Sequence, residues 1–288
     1  MSQKMPKIAF QGELGANSHI ACRKYYPEHE PLPCATFELA FKALSSGEAS
    51  LAMLPIENTV AGRVADIHRL LPGSGMYIIG EHFMRVRHCL LGVRGADIKQ
   101  IKQVQSHVMA LGQCRQLIQE LGLEPLVAAD TAGSARHVSE LNDPSLAAIA
   151  PDLAAEIYGL DILRADIQDS EKNTTRFLIM SSEPDDASPE DGEGNFMTSF
   201  IFRVRNVPAA LYKALGGFAT NNVNMTKLES YQLDGSFAAT QFYADIEGHP
   251  ESPAVQRALE ELTFYCSQMD VLGVYHAAPE RSDLANQD

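Results

Sequence analysis

Short apolar runs, each closed by small polar residues and followed by hydrophobics at helical spacing, recur along positions 7–159 of the chain. Residues 7–10 predict a strand ended by Gly12, and Asn17 or Ser18 is the expected N-cap of a helix running to Tyr26. From Thr36, the spacing of Phe37, Ala40, Phe41 and Leu44 predicts an amphipathic helix with Gly47 beyond its end. A strand over 50–58 then ends in the polar pair Glu57-Asn58 and leads to a helix over 64–71. The alternation continues, with strand 103–107 before helix 110–121, strand 125–130 before helix 131–141, and strand 146–150 before helix 151–159. Strands that feed helices in this way are the pattern of parallel βα units.

The pattern changes after residue 180. Positions 181–195 read S-S-E-P-D-D-A-S-P-E-D-G-E-G-N, a solvated linker. Beyond it come strand 197–206, helix 209–220, strand 225–233, a turn at Asp234-Gly235, strand 237–246, helix 252–267 and strand 271–276. Leu211, Leu215 and Phe218 mark one helix face, Val255, Leu259, Leu262 and Cys266 the other, and Phe200, Phe202 and Val204 alternate. A βαββαβ run of this size predicts a ferredoxin-like unit. The expected organisation is an α/β domain over 1–182, a linker over 183–195, the ferredoxin-like domain over 196–277 and a mobile polar tail from 277 or 278 to 288. The first domain is expected to form two lobes, about 7–80 with the return strand 173–180, and about 82–170, with a cleft between them.

Composition narrows the function. The 288 residues are 45% hydrophobic and 21% charged, the profile of a globular protein, and no apolar run approaches a bilayer span. The five cysteines are scattered without a C-x-x-C pair, and no secretory apolar segment follows the amino terminus, so a cytoplasmic setting is expected. A net charge of −14 argues against nucleic acid and anionic membrane as partners. The nine histidines lack metal-ligand spacing, and His82 and His88, flanking Arg85 and Arg87, read as a solvated face. With no phosphate loop, dinucleotide fingerprint or metal cluster, no cofactor is expected.

Candidate chemistry gathers in Ser170-Glu171-Lys172-Asn173-Thr174-Thr175-Arg176-Phe177, which opens an apolar run to Met180. Ordinary β-branched strand starters would account for the two threonines alone. In open α/β sheets, however, ligands bind beyond the carboxyl ends of strands, where helix amino termini offer free N–H groups. Ser18, Glu57, Asn58, Ser106, His107, Thr131 and Ser134 all fall at such junctions. Helix capping alone is a sufficient reading for Ser18, Thr131 and Ser134; seven equivalent positions suggest a carboxylate-binding edge.

Several segments together resemble the prephenate dehydratase family: Gly12-x-x-Gly15-x-x-Ser18, Pro55-Ile56-Glu57-Asn58, Ser106-His107 with Ala110-Leu111 and Gln113-Cys114, Asp130-Thr131-Ala132, and Asn173-x-Thr175-Arg176-Phe177. Ala210-Leu211 and Asn224-Met225-Thr226-Lys227-Leu228-Glu229-Ser230 are similar to the ACT regulatory domain of those enzymes. Val108-Met109 stands where the family usually has Pro-Gln, and Tyr231-Gln232 where the ACT signature usually has Arg-Pro. The resemblance covers nearly the whole chain and implies a bilobed catalytic region similar to the type 2 periplasmic binding fold.

It also implies conversion of prephenate to phenylpyruvate, water and carbon dioxide, with L-phenylalanine as an inhibitor bound to the ACT domain of a homodimer or homotetramer. By resemblance Thr175 is the essential hydroxyl, Arg176 clamps or balances a carboxylate, and Glu57 and Asn58 orient the substrate or serve a relay. On residue type, an outward ion pair for Arg176 and a helix-capping carboxylate for Glu57 are comparable readings. Ser18, Ser106, His107, Thr131, Ser134, Asn173 and Phe177 would bind substrate, and Ala210, Leu211, Asn224, Met225 and Glu229 the effector. Two alternatives stay open: a dehydratase that prefers arogenate, and a non-catalytic amino-acid-sensing protein.

Overall fold

The computed structural model describes residues 5–190, 195–205, 207–233 and 236–285. Asn206, the expected Asp234-Gly235 turn, linker residues 191–194 and tail residues 286–288 lie outside them. Contacts divide the chain into two units, Met1–Val64 with Met84–Phe177, and Ala65–Phe83 with Leu178–Asp288.

The first unit opens with β1 (Lys7–Gln11), α1 (Asn17–Tyr25), β2 (Glu30–Cys34), α2 (Phe37–Ser45), β3 (Leu51–Asn58) and a two-residue β4 (Gly62–Arg63). Ile8, Ala9 and Phe10 are fully buried because β1 lies between β2 and β3, parallel to both. The hydroxyl of Thr36 caps α2 by accepting from the Leu39 N–H at 3.3 Å, and Ala40, Phe41 and Leu44 turn into the core. Neither Asn17 nor Ser18 caps α1; the N-cap is Ala16, and the Gly15 N–H donates instead to His19 Nδ1 at 2.9 Å. β2 escaped the hydrophobic pattern because it reads E-P-L-P-C, which an edge strand tolerates. β4 folds back antiparallel on β3 and pairs Glu57 with Arg63 and Asn58 with Gly62.

After α3 (Ala65–Leu70) and β5 (Tyr77–Arg85), the first unit continues with β6 (Cys89–Gly92), β7 (Gln103–His107), α4 (Val108–Gln113), α5 (Arg115–Leu121), β8 (Glu124–Ala128), α6 (Thr131–Leu141), β9 (Leu146–Ala150), α7 (Asp152–Tyr158) and β10 (Asp161–Arg164). A second sheet results, in the order β10-β6-β9-β7-β8. β9 is an unbroken buried run because its sheet position is central. β7 is parallel to β8 and β9, as the βα pattern predicts, but β6 runs antiparallel to β9, and β10 to β6. The single helix expected over 110–121 is two, broken at Cys114. The lobes carrying the two sheets meet where the β1–α1 loop packs on α7. Gly15 has φ +90°, and a Cβ there would lie 2.8 Å from Ala154 Cα. The Tyr158 hydroxyl donates to Leu14 O at 2.9 Å nearby.

β11 (Thr174–Ser181) follows β3 in the first sheet and passes from the first unit into the second after Phe177. In the second unit come β12 (Phe196–Val204), α8 (Ala210–Thr220), β13 (Met225–Leu233), β14 (Ser236–Glu247), α9 (Pro253–Tyr265), β15 (Cys266–His276) and α10 (Glu280–Ala285). The sheet order β13-β14-β12-β15, with antiparallel neighbours, is that of a ferredoxin-like unit. Phe200, Phe202, Phe218 and Phe242 fill the space under α8 and α9; burying each such ring is worth about 2–3 kcal/mol. Over its described residues, up to Ala285, the expected tail is not loose. Ala278 is buried, and Arg281 of α10 pairs with Glu81 of β5.

The whole is an α/β fold: a first region built on two sheets, then a ferredoxin-like βαββαβ sheet. Among the described residues no helix is long and apolar enough to cross a membrane.

Candidate active site

The end of β3 and the start of β11 hold the polar residues that the sequence singles out. Asn58 is their hub. Its Oδ1 accepts from the Val60 and Ala61 N–H groups at 2.9 and 2.8 Å, which fixes the orientation of the amide, since both partners can only donate. Its Nδ2 therefore faces Asn173 Oδ1 at 2.7 Å, Thr175 Oγ1 at 2.9 Å and Thr174 O at 3.2 Å. Because Thr175 Oγ1 accepts from Asn58, its own proton remains available to a ligand. Thr59 ties the strands further, with its hydroxyl donating to Lys172 O at 2.6 Å and its N–H donating to Thr174 O at 2.9 Å.

The network extends beyond the predicted residues. With Asn173 Oδ1 engaged, Asn173 Nδ2 donates to Gln113 Oε1 at 2.8 Å, and the same oxygen lies 2.9 Å from His88 Nε2. Gln113 Oε1 only accepts, so His88 carries its proton on Nε2. His88 is buried, contrary to the solvated face expected of it, and burial lowers its pKa. The surrounding arginines are exposed instead: Arg85 pairs with Glu171 at 2.9 Å and Arg87 with Asp166 at 3.4 Å. Gln113 was visible as half of Gln113-Cys114, but nothing in its spacing announced a partner 60 residues away.

Arg176 is 2% exposed and donates from Nη1 to Glu57 Oε1 at 3.1 Å. It is therefore neither outward nor solvated. Glu57 lies in a strand rather than in a first helical turn, and its side chain keeps 32% exposure, so the carboxylate is the reachable half of the pair. The guanidinium paired with Glu57 thus places a buried positive charge next to Thr175 on β11, away from bulk water.

The other candidates do not join this network. Ser106 is fully buried and donates to Ile149 O at 2.6 Å across the sheet, and Ser134 donates to Asp130 O at 2.7 Å. His107 caps α4 by accepting from the Met109 N–H, and Asp130, rather than Thr131, caps α6. Ser18 is buried in the first turn of α1, and Phe177 is 1% exposed within the core. A cavity of about 970 Å³ between α1 and α7 is lined by Arg23, Arg94, Asp152, Glu156 and Asp161, with none of the network residues.

Of the effector candidates, Ala210 is buried and Leu211 and Met225 pack on the phenylalanine core, so these offer backbone rather than side chains. Asn224 is exposed, and Glu229 pairs with Lys227 at 3.2 Å. α8 opens after Ala209 in the left-handed region (φ 60°) with no side-chain cap.

Fold and site thus define a two-lobed α/β protein centred on a hydroxyl–amide network, extended by a ferredoxin-like unit. The family model for prephenate dehydratase matches residues 8–185, and the chain belongs to that family. A bifunctional N-acyl-homoserine lactone acylase/prephenate dehydratase of Komagataeibacter europaeus is 53% identical over 274 residues, 95% of this chain and 97% of that protein. Arogenate dehydratase/prephenate dehydratase 2 of Arabidopsis thaliana, a chloroplastic protein, is 37% identical over 93% of this chain and 72% of its own length. The solved structure of prephenate dehydratase in complex with L-Phe from Arthrobacter aurescens matches with a TM-score of 0.85 at 28% identity, over 98% of this chain and 96% of that one.

Proposed function

We propose that the chain is a prephenate dehydratase that makes phenylpyruvate for L-phenylalanine biosynthesis. The observation that carries this reading is the Thr175 hydroxyl, fixed as an acceptor from Asn58 and so left with a proton to give. Prephenate must lose its ring hydroxyl and its ring carboxylate together. The electrons of the breaking C–CO₂⁻ bond move into the ring as the C–O bond breaks, carbon dioxide departs, and the hydroxide takes a proton to leave as water. A threonine is too weak an acid to transfer its proton outright, so Thr175 polarises the departing oxygen or relays a proton. The buried Arg176 offsets carboxylate charge, and Glu57 orients the substrate within a preorganised polar site. Asn58 and Asn173 hold the geometry.

The carboxyl-terminal βαββαβ unit is proposed as an ACT domain that binds L-phenylalanine between two chains and inhibits the enzyme. Support comes from the Arthrobacter enzyme, whose structure is a complex with L-Phe, and from the uncapped amino terminus of α8, which suits a carboxylate. Pairing with a second copy would also cover the edge strand β13.

The 53% identity to a protein named as bifunctional supports a second reading, hydrolysis of N-acyl-homoserine lactones beside the dehydratase reaction. The names of the plant relatives support arogenate as an alternative substrate. One assay series decides among them. Purified protein is offered prephenate, arogenate or an N-acyl-homoserine lactone, and phenylpyruvate, phenylalanine or the freed homoserine lactone is followed. Turnover of prephenate at least about tenfold above arogenate in kcat/KM is expected. No turnover of prephenate would defeat the proposal, and acyl release would establish the second activity.

A further inference from the structure

We propose that Ala65–Phe83, which in sequence lies inside the catalytic region, is the coupling arm of the carboxyl-terminal module. It would carry the state of that module to Asn58 and Glu57. The inference rests on the regulatory reading above for the nature of the signal, but not for the existence of the arm.

A ferredoxin-like sheet with both helices on one face leaves the other face to be covered. Here that face is polar and still buried. Ser199 donates to Asp245 Oδ1 at 2.5 Å, its oxygen lies 2.8 Å from the Tyr275 hydroxyl, and the Tyr243 hydroxyl donates to it at 3.3 Å. Ser199, Asp245, Tyr243 and Tyr275 are each at most 1% exposed. The cover is the 65–83 segment, held at three places. His68 of α3, 2% exposed, meets Tyr243 edge-on at 5.1 Å and Tyr231 at 6.2 Å. Gly273 of β15 lies so close to β5 that a methyl group there would overlap the carbonyl of Ile78. The carboxylate of Glu81, 3% exposed, takes a bidentate pair from Arg281 at 2.8 and 2.6 Å and the Ala278 N–H at 3.2 Å, while Arg281 stacks 5.3 Å over Phe83.

The arm is also continuous with the reactive residues. α3 begins at Ala65, immediately after Val64, whose N–H donates to Ile56 O beside Glu57 and Asn58. Tyr231 sits on β13, the strand that carries the effector candidates Met225 and Glu229. A shift in β13 therefore reaches His68 by direct contact and the β3–β4 hairpin through the chain itself. Packed elements switch between discrete arrangements rather than deforming continuously.

Arg281→Ala, with Arg281→Lys as the conservative rescue and His68→Leu as a second anchor variant, tests the arm in the full chain. Without ligand, hydrogen exchange over 65–83 should quicken at least about tenfold in Arg281→Ala, β1 should not change, and kcat should fall. With L-phenylalanine, calorimetric affinity should stay within about threefold while inhibition weakens at least about tenfold, and Lys should restore it. If Arg281→Ala does not fold, His68→Leu should give the same split between binding and inhibition. Fast exchange over 65–83 with unchanged kcat, or full inhibition in a variant whose arm exchanges fast, would overturn the proposal. Failure of the unaltered chain to bind L-phenylalanine would instead defeat the regulatory reading, and the ligand-free comparison would still decide the arm.

Discussion

Replacing Asn58 with Asp keeps the shape of the hub and removes its function as a donor. The remaining oxygen still accepts from Val60 and Ala61, so the β3–β4 hairpin should stand. The donations to Asn173, Thr174 and Thr175 are lost, and a carboxylate oxygen takes the place of an N–H 2.7 Å from Asn173 Oδ1. Asn173 is 1% exposed, so its acceptor has no water to turn to; such an orphan costs about 1–3 kcal/mol, and the lost neutral bond to Thr175 about 1 kcal/mol more. A reacting hydroxyl freed from its orienting bond loses about a hundredfold in rate, or about 2.7 kcal/mol of barrier. The three facing oxygens disfavour the charged form of the new carboxyl and raise its pKa. Below that pKa it is protonated and can donate again. The ratio of N58D to unaltered kcat should therefore rise as pH falls, measured as phenylpyruvate formation with the uncatalysed reaction subtracted. A near-normal ratio at every pH, or one that falls on acidification, would refute the assigned amide orientation and the role given to Thr175.

Three further outcomes are expected. Burial lowers the pKa of His88 from 6.5, so the folded state resists protonation: stability is intact above the unfolded value and is lost as pH falls below it towards the folded one. Melting temperatures between pH 7 and pH 5 should drop, and H88Q should flatten part of that slope; His19, also lowered by burial, accounts for another part. Gly15→Ala combines φ +90° with a clash on Ala154, so it should lower stability by about 2–4 kcal/mol in denaturant melts and reduce turnover by disturbing the seating of the β1–α1 loop on α7. A chain ending at Glu183 leaves the buried Glu81 without Arg281, and circular dichroism should show a loosened or unfolded product rather than an independent catalytic domain.

The helices and strands with clean periodicity were legible, including Phe200, Phe202 and Val204 alternating on β12 and Phe37, Ala40, Phe41 and Leu44 on α2. β2, β5 and β10 were not, because prolines, a glycine and charged residues interrupt the alternation in strands at sheet edges or with polar partners. The polar network at 173–176 was legible because small polar residues at the mouth of an apolar strand are unusual. Its partners were harder. Asn58 announces itself beside Glu57, but His88 and Gln113 join through hydrogen bonds that local sequence cannot express. Ser106 and Ser134 were less legible, since a hydroxyl near a strand–helix junction looks the same in sequence whether it faces a ligand or donates to a carbonyl of the neighbouring strand, as Ser106 does, or of its own helix cap, as Ser134 does. The membership of 65–83 in the carboxyl-terminal unit was hidden by chain order, and the Pro/Gly-rich linker drew attention to a different position.

In the proposed mechanism the proton of Thr175 meets the departing hydroxyl of prephenate. Its most direct test compares kcat for the unaltered chain, Thr175→Ala and Thr175→Ser with prephenate as substrate, alongside melting temperatures. Ala should lower kcat by about a hundredfold or more with melting little changed, and Ser, which keeps the donor, should retain much of the rate. A folded Ala variant that turns over at near-normal rate would make Thr175 an ordinary strand residue and contradict the account.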